Sequence, residues 1–154
     1  VWQQRPESHG WVKIRSNDPL DKPIIQPNYL SHQEDQKVCV AGIRLARKLM
    51  HSKPLSKYLD QELYPGPLIG DNYEELLEIA RERGLTCYHQ MGTCKMGPES
   101  DKTAVVNNKL KVYGISNLRV IDASIMPTML SANLNAGAIM IGEKGSDMIL
   151  KENS

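Results

Sequence analysis

The chain has 154 residues, 40% hydrophobic and 24% charged, with 19 Lys plus Arg against 18 Asp plus Glu. That length fits one domain, able to bury roughly 70% of the surface its unfolded chain would expose. A net charge of +1 without any Lys/Arg stripe argues against a nucleic-acid footprint and a polybasic membrane anchor, and no apolar run approaches the roughly 20 residues of a spanning helix.

The polar start, Val1-Trp2-Gln3-Gln4-Arg5-Pro6, shows no signal peptide and no initiator Met, so an incomplete chain is expected. Val12 and Ile14 alternate with Lys13 and Arg15, the period of a half-buried strand. Asn17-Asp18-Pro19 and Asp21-Lys22-Pro23 are turns, and Ile24-Ile25 and Pro27 to Leu30 continue as extended chain. Ser31 and Glu34 form a capping box before a long helix whose Val38, Ala41, Leu45 and Leu49 share one face. Pro54 ends that helix, and Tyr64-Pro65-Gly66-Pro67 is a rigid loop.

Asp71 and Glu74 predict a second capped helix from Asn72 to about Arg83, closed by Gly84 in a left-handed conformation. Leu85 to His89 reads as extended, Gly92 to Lys102 as loop, and Ala104-Val105-Val106, Leu110-Lys111-Val112 and Leu118 to Ile121 as strand-like pieces. From about Asn135 the chain is helical to Leu150 and then frays. The order predicts an α+β fold, with no internal repeat.

Cys39, Cys87 and Cys94 are too few for a disulfide scaffold. Cys87, His89 and Cys94 offer three metal-ligand types where a structural zinc site needs four, so free thiols are the preferred reading, with a Cys87–Cys94 disulfide left open. Gly137 to Lys144 nearly spells a phosphate-binding loop, but Glu143 displaces the required Lys. No Gly-x-Gly-x-x-Gly follows a strand, so the chain carries no dinucleotide pyrophosphate site of its own.

Three segments concentrate chemistry: Tyr88 to Gly97, Val120 to Pro127, and Ser131 to Gly137. His89 stands between an extended run and a glycine turn and can exchange protons near neutral pH, although a lone His is more often structural. Asp122 ends a strand-like run, where a carboxylate can meet a ligand's hydroxyls or simply cap the next turn. Asn133 and Asn135 precede a helix whose first amides can receive an acceptor, with plain capping by Asn135 the simpler role. Gly137, Gly142 and Gly145 in one helix suggest close approach of a backbone or flat cofactor, or tight helix packing alone.

Together, Tyr88-His89-x-x-Gly92-Thr93-Cys94, Val120-Ile121-Asp122-Ala123-Ser124-Ile125-Met126-Pro127 and Asn133-x-Asn135-Ala136 resemble the C-terminal region of the glucose–methanol–choline (GMC) oxidoreductases. The likeness runs from Pro6-Glu7-Ser8-His9-Gly10-Trp11 to Ile141 through Asp147 and is nearest to the insect glucose-dehydrogenase-like branch. It implies an FAD-dependent enzyme that moves a hydride from an alcohol or sugar CH–OH group to flavin N5, passing electrons to a quinone or oxygen. His89 matches the family's active-site base and Asn133 its second active-site position. Asp122, Ala123, Asn133, Asn135 and Ala136 match residues beside the FAD. Where His9 stands, many members carry Arg.

The resemblance further implies a partial substrate-binding domain over residues 1–117, with a partial antiparallel or mixed sheet and packed helices. Residues 118–154 would form a strand–helix segment returning to the FAD-binding domain, whose N-terminal part lies upstream. The fragment alone would then be inactive and would expose apolar patches where that domain sits, and secretion of the parent is an expectation by resemblance only. The alternative is a stand-alone, flavin-free GMC-like domain that binds a protein partner.

Overall fold

A computed structural model describes residues 1–152, so the predicted fraying after Leu150 falls partly on residues 153 and 154, outside the described residues. The chain forms two compact units, Val1–Cys87 and Tyr88–Ser154. Among the described residues, three α-helices and a two-stranded antiparallel sheet make the architecture α+β.

In the first unit, strand β1 (Trp11–Lys13) pairs antiparallel with β2 (Ile24–Gln26), Val12 opposite Ile25. Asp18 shapes the connection, its carboxylate accepting from the Leu20 amide at 2.9 Å. A Cβ on Gly10 would lie 2.2 Å from the Gln26 carbonyl oxygen, so the approach to β1 requires glycine. The predicted strand exists, but the predicted half-burial does not: all six strand residues are exposed, because two strands alone cannot bury a face.

Helix α1 spans Gln33–Met50 and helix α2 spans Tyr73–Arg83. Neither cap falls on the predicted residue. His32 rather than Ser31 caps α1, its ring nitrogen accepting from the Glu34 amide, while Ser31 belongs to the preceding turn through its amide bond to Asn28. Asn72 rather than Asp71 caps α2, accepting from Glu74 and Glu75 at 2.9 and 3.2 Å. Gly84 closes α2 at φ −61°, so it is not left-handed as predicted. Glycine is needed there for another reason, since a Cβ would meet the Ala80 carbonyl oxygen at 2.4 Å.

The core of this unit joins Val40 to Leu76 and Leu77, flanked by Ile43, Ile69 and Tyr73. Val38, Ala41, Leu45 and Leu49, the face predicted to be buried, are exposed instead. At 100° per residue Val40 and Ile43 lie roughly opposite that stripe, so α1 has two apolar faces and α2 covers the other one. Arg47 reinforces the covered side, pairing with Glu62 at 2.8 Å and donating to the Ile69 and Gly70 carbonyls.

Asp35, only 3% exposed, clasps the N-terminal segment to α1. Its carboxylate accepts from the Glu7 and Ser8 amides at 2.9 and 2.7 Å and from the Ser8 hydroxyl. Burial pushes its pKa up, but these hydrogen bonds outweigh it and hold the carboxyl below the ordinary Asp range. Asp35→Ala should cost about 2–3 kcal/mol in denaturant unfolding, because it orphans buried amides. A group whose folded pKa is depressed stabilises above its unfolded pKa, about 3.9, and that contribution fades as pH falls through the lower folded value. The gap between wild type and variant should therefore hold at neutral pH and shrink below about pH 4.

The second unit is built around Val106, Leu110, Ile125, Met126, Leu134 and Ile141. Its predicted strands reduce to isolated bridges, Met96 with Val106, Val106 with Val112, and Lys111 with Arg119. Left-handed corners at Leu110 (φ 64°) and Asn117 (φ 59°) break the ladder, and Leu118–Ile121 makes no continuous strand. Helix α3 spans Asn135–Glu152, starting on Asn135 rather than being capped by it. A Cβ on Gly137 would meet Leu130 and Met126 at 2.7 and 2.9 Å, and one on Gly145 would meet Ile121 at 2.4 Å. These two glycines serve tight packing within the unit, whereas Gly142 faces open space. Glu152 ties the helix end to Arg119 and Lys111 at 2.6 and 3.0 Å.

Candidate active site

Every candidate site residue lies in the second unit. Its first chemical segment runs alongside the short 3-10 turn Ala123–Ile125: the amides of Gly92, Cys94 and Met96 donate to the carbonyls of Ala123, Ser124 and Ile125 at 3.4, 2.9 and 2.8 Å. Gly92 enters this ladder left-handed, at φ 83°. After it the Lys95 ammonium pairs with Asp101 at 2.7 Å, and hydrogen bonds from Lys95 and then Thr103 hold the Asp101 carboxyl far below its usual range. The ladder left no trace in the sequence, because a strand-like run against a helical turn gives neither segment a hydrophobic period.

Met126 and Leu134 then bring the third segment onto the same core. His89 and Asn133, 44 residues apart, meet with the imidazole Nε2 2.8 Å from the amide Nδ2. An amide nitrogen only donates, so Nε2 accepts and the ring proton sits on Nδ1. In this contact the single Nε2 lone pair is taken up by the Asn133 N–H. An alcohol oxygen that inserted between the two groups would give its proton to Nε2 while receiving the N–H that Asn133 releases from it. His89 is half-buried and Asn133 exposed, so the pair is open to a ligand.

Asp122 is exposed, and its Oδ1 caps the 3-10 turn by accepting from the Ser124 amide at 2.7 Å. The turn-capping role weighed from the sequence is thus present, and the second carboxylate oxygen remains for a hydroxyl. The Ala123 carbonyl is held in the ladder. Asn135 and Ala136 are exposed at the start of α3. With the first helical bond running from Ala138 to Leu134 at 2.8 Å, the amides of residues 135–137 have no acceptor within the helix. Free donors at a helix start and an exposed carboxylate in the same unit suit a ligand that carries carbonyl acceptors and polyol hydroxyls.

Among the described residues no three His, Cys, Asp or Glu side chains gather as a metal-ligand set, and Cys39, Cys87 and Cys94 are free thiols. No described helix is long and apolar enough to cross a membrane. The sequence did not reveal Tyr88, whose backbone is left-handed at φ 59° immediately before His89.

A family model described as GMC oxidoreductase matches residues 6–142. The chain is 46% identical over 152 residues to a mitochondrial choline dehydrogenase of Homo sapiens, covering 97% of this chain and 25% of that protein. It is 41% identical to an alcohol dehydrogenase [acceptor] of Pseudomonas putida, covering 96% and 26%. An FAD-dependent oxidoreductase from Chaetomium thermophilum superposes with a TM-score of 0.88 at 33% identity, over 98% of this chain and 26% of that one. The chain therefore spans about a quarter of the length of the curated relatives it matches. These likenesses establish a family and not a branch within it.

Proposed function

The chain belongs to the GMC oxidoreductases, a family of FAD-dependent flavoproteins, and on that premise we propose that it is the C-terminal part of an enzyme oxidising the CH–OH group of an alcohol or sugar. The observation that carries this reading is the 2.8 Å pairing of His89 Nε2 with the Asn133 amide. FAD, when bound, supplies the hydride acceptor at its flavin N5. The chain's own residues handle the proton and the oxygen. His89 takes the hydroxyl proton on Nε2, and Asn133, which cannot accept a proton, steadies the oxygen by donating to it.

The donor set at the start of α3 fits the cofactor's chemistry. Asn135 and Ala136 would meet carbonyl acceptors at the edge of the flavin, where a helix N-terminus favours negative charge. Asn133 would serve the cofactor as well as the substrate oxygen. Asp122, with the Ala123 backbone, would receive ribityl hydroxyls. Residues 118–154 are proposed to complete the FAD-binding domain and residues 1–117 to form part of the substrate-binding domain, with the remainder supplied by an N-terminal FAD-binding part of the same protein. A quinone or oxygen is the proposed electron acceptor.

The full-length protein should purify with FAD, and anaerobic addition of an alcohol or sugar from a panel that includes choline, glucose and primary aliphatic alcohols should bleach its flavin absorbance. A purified full-length protein without flavin, or one whose flavin no member of the panel bleaches, contradicts this reading. In the same preparation Asp122→Ala should lower the bound flavin per protein, measured by absorbance, since it removes a polyol acceptor. Unchanged flavin content would remove Asp122 from the cofactor set.

A further inference from the structure

We propose that Gly92 is a positioning residue for His89, and that its left-handed backbone fixes where the imidazole stands against Asn133. The catalytic consequence rests on the reading of His89 as the base, whereas the geometric content does not. All the residues concerned belong to the second unit. Gly92 adopts φ 83°, a conformation that a residue with a Cβ enters only at a cost in free energy and that a β-branched residue essentially avoids.

Gly92 stands between two fixed points. On its C-terminal side the amides of Cys94 and Met96 donate to the Ser124 and Ile125 carbonyls at 2.9 and 2.8 Å. On its N-terminal side Met91 packs against the core that holds Met126 and Leu134. His89, just before that, has its Nε2 2.8 Å from the Asn133 amide nitrogen. Returning φ at Gly92 to the common range near −60° would turn one side against the other by more than about 100°. The bonded run from Cys94 to Met96 resists that turn, so residues 89–91 would have to take it. Met91 would then leave the core and His89 would leave Asn133. Keeping φ and adding a side chain is obstructed as well. A Cβ on Gly92 would lie 3.3 Å from the Met126 carbonyl oxygen, tighter than ordinary van der Waals contact. Met126 is 5% exposed and its own amide is bonded to the Ala123 carbonyl at 3.2 Å, so the Gly92 segment has to shift. A displacement of the base by about 1 Å is enough to cost about 10²-fold in rate.

The test uses the full-length flavoprotein carrying Gly92→Val, Gly92→Ala or Gly92→Asn, each alone and together with His89→Ala. Val should lower kcat by about 10²-fold while KM moves far less. Asn is the non-glycine residue best suited to a left-handed φ and should lose less than about tenfold, with Ala between the two. In the His89→Ala background none of the three should slow flavin reduction further by more than about threefold, because a residue that acts only through the imidazole has nothing left to aim. A harmless Val, an Asn as damaging as Val, or a Val that slows the His89→Ala enzyme by the same factor overturns the proposal. Should Gly92→Val fail to fold or to hold flavin, Gly92→Ala takes its place in each comparison. A crystal structure of the Val or Ala variant gives a readout independent of catalysis. The His89–Asn133 contact should open beyond hydrogen-bond reach, and a retained contact overturns the proposal whatever the rates. If His89→Ala alone reduces flavin at a near-normal rate, the base assignment fails, and the contact in the crystal then decides the role of Gly92.

Discussion

Replacing His89 with alanine is expected to slow reduction of the bound flavin by about 10²–10⁴-fold, the usual contribution of a positioned general base. Flavin content should be unchanged, because the imidazole meets Asn133 and is not among the residues expected to hold the cofactor. The hydroxyl proton has to leave as the hydride does, and the Asn133 amide beside it cannot receive a proton. The variant therefore has to surrender that proton to solvent. Stopped-flow reduction under anaerobic conditions, followed at the flavin absorbance band and normalised to bound flavin, measures the effect directly. Near-normal reduction by the variant would sink the assignment.

The candidate site residues stood out in the sequence only through three short strings that resemble the family's, since each residue alone had a simpler structural role. His89 and Asn133 were singled out 44 residues apart, and the fold brings their ring and amide into contact. Most of the packing was less legible, for reasons that can be stated. Helix α1 carries apolar residues on two faces, and periodicity alone cannot say which of them α2 will cover. Val38 and Leu45 therefore look like core residues and are exposed, while Val40 does the packing. Leu118 to Ile121 has the composition of a buried strand, yet the left-handed Leu110 and Asn117 deny it a continuous partner. Gly84 and Gly145 were recognisable as special, but their reason is steric closeness to Ala80 and Ile121, which only a three-dimensional structure reveals. Tyr88 lay beyond reach altogether, since a left-handed tyrosine has no sequence signature.

The second large effect is expected from Asn133→Asp, which preserves shape and replaces a hydrogen-bond donor with an anionic acceptor. In the wild type the Asn133 Nδ2 donates into the single Nε2 lone pair at 2.8 Å, so an alcohol that takes the amide's place meets that lone pair. A carboxylate there would set its own lone pairs against Nε2 unless the ring is protonated. A carboxylate cannot donate to the ring, so the contact that positions Nε2 is lost. The oxygen also loses its donor, a change that in comparable sites costs about 10²–10³-fold. The loss in flavin-reduction rate should therefore reach at least about 10²-fold per bound flavin. Asn133→His, which can still present an N–H, should lose much less. If Asn133 served only to fill space, Asp and Asn would reduce flavin at the same rate. Flavin-reduction rates measured for both variants thus separate a donor aimed at the reacting oxygen from a residue that merely packs.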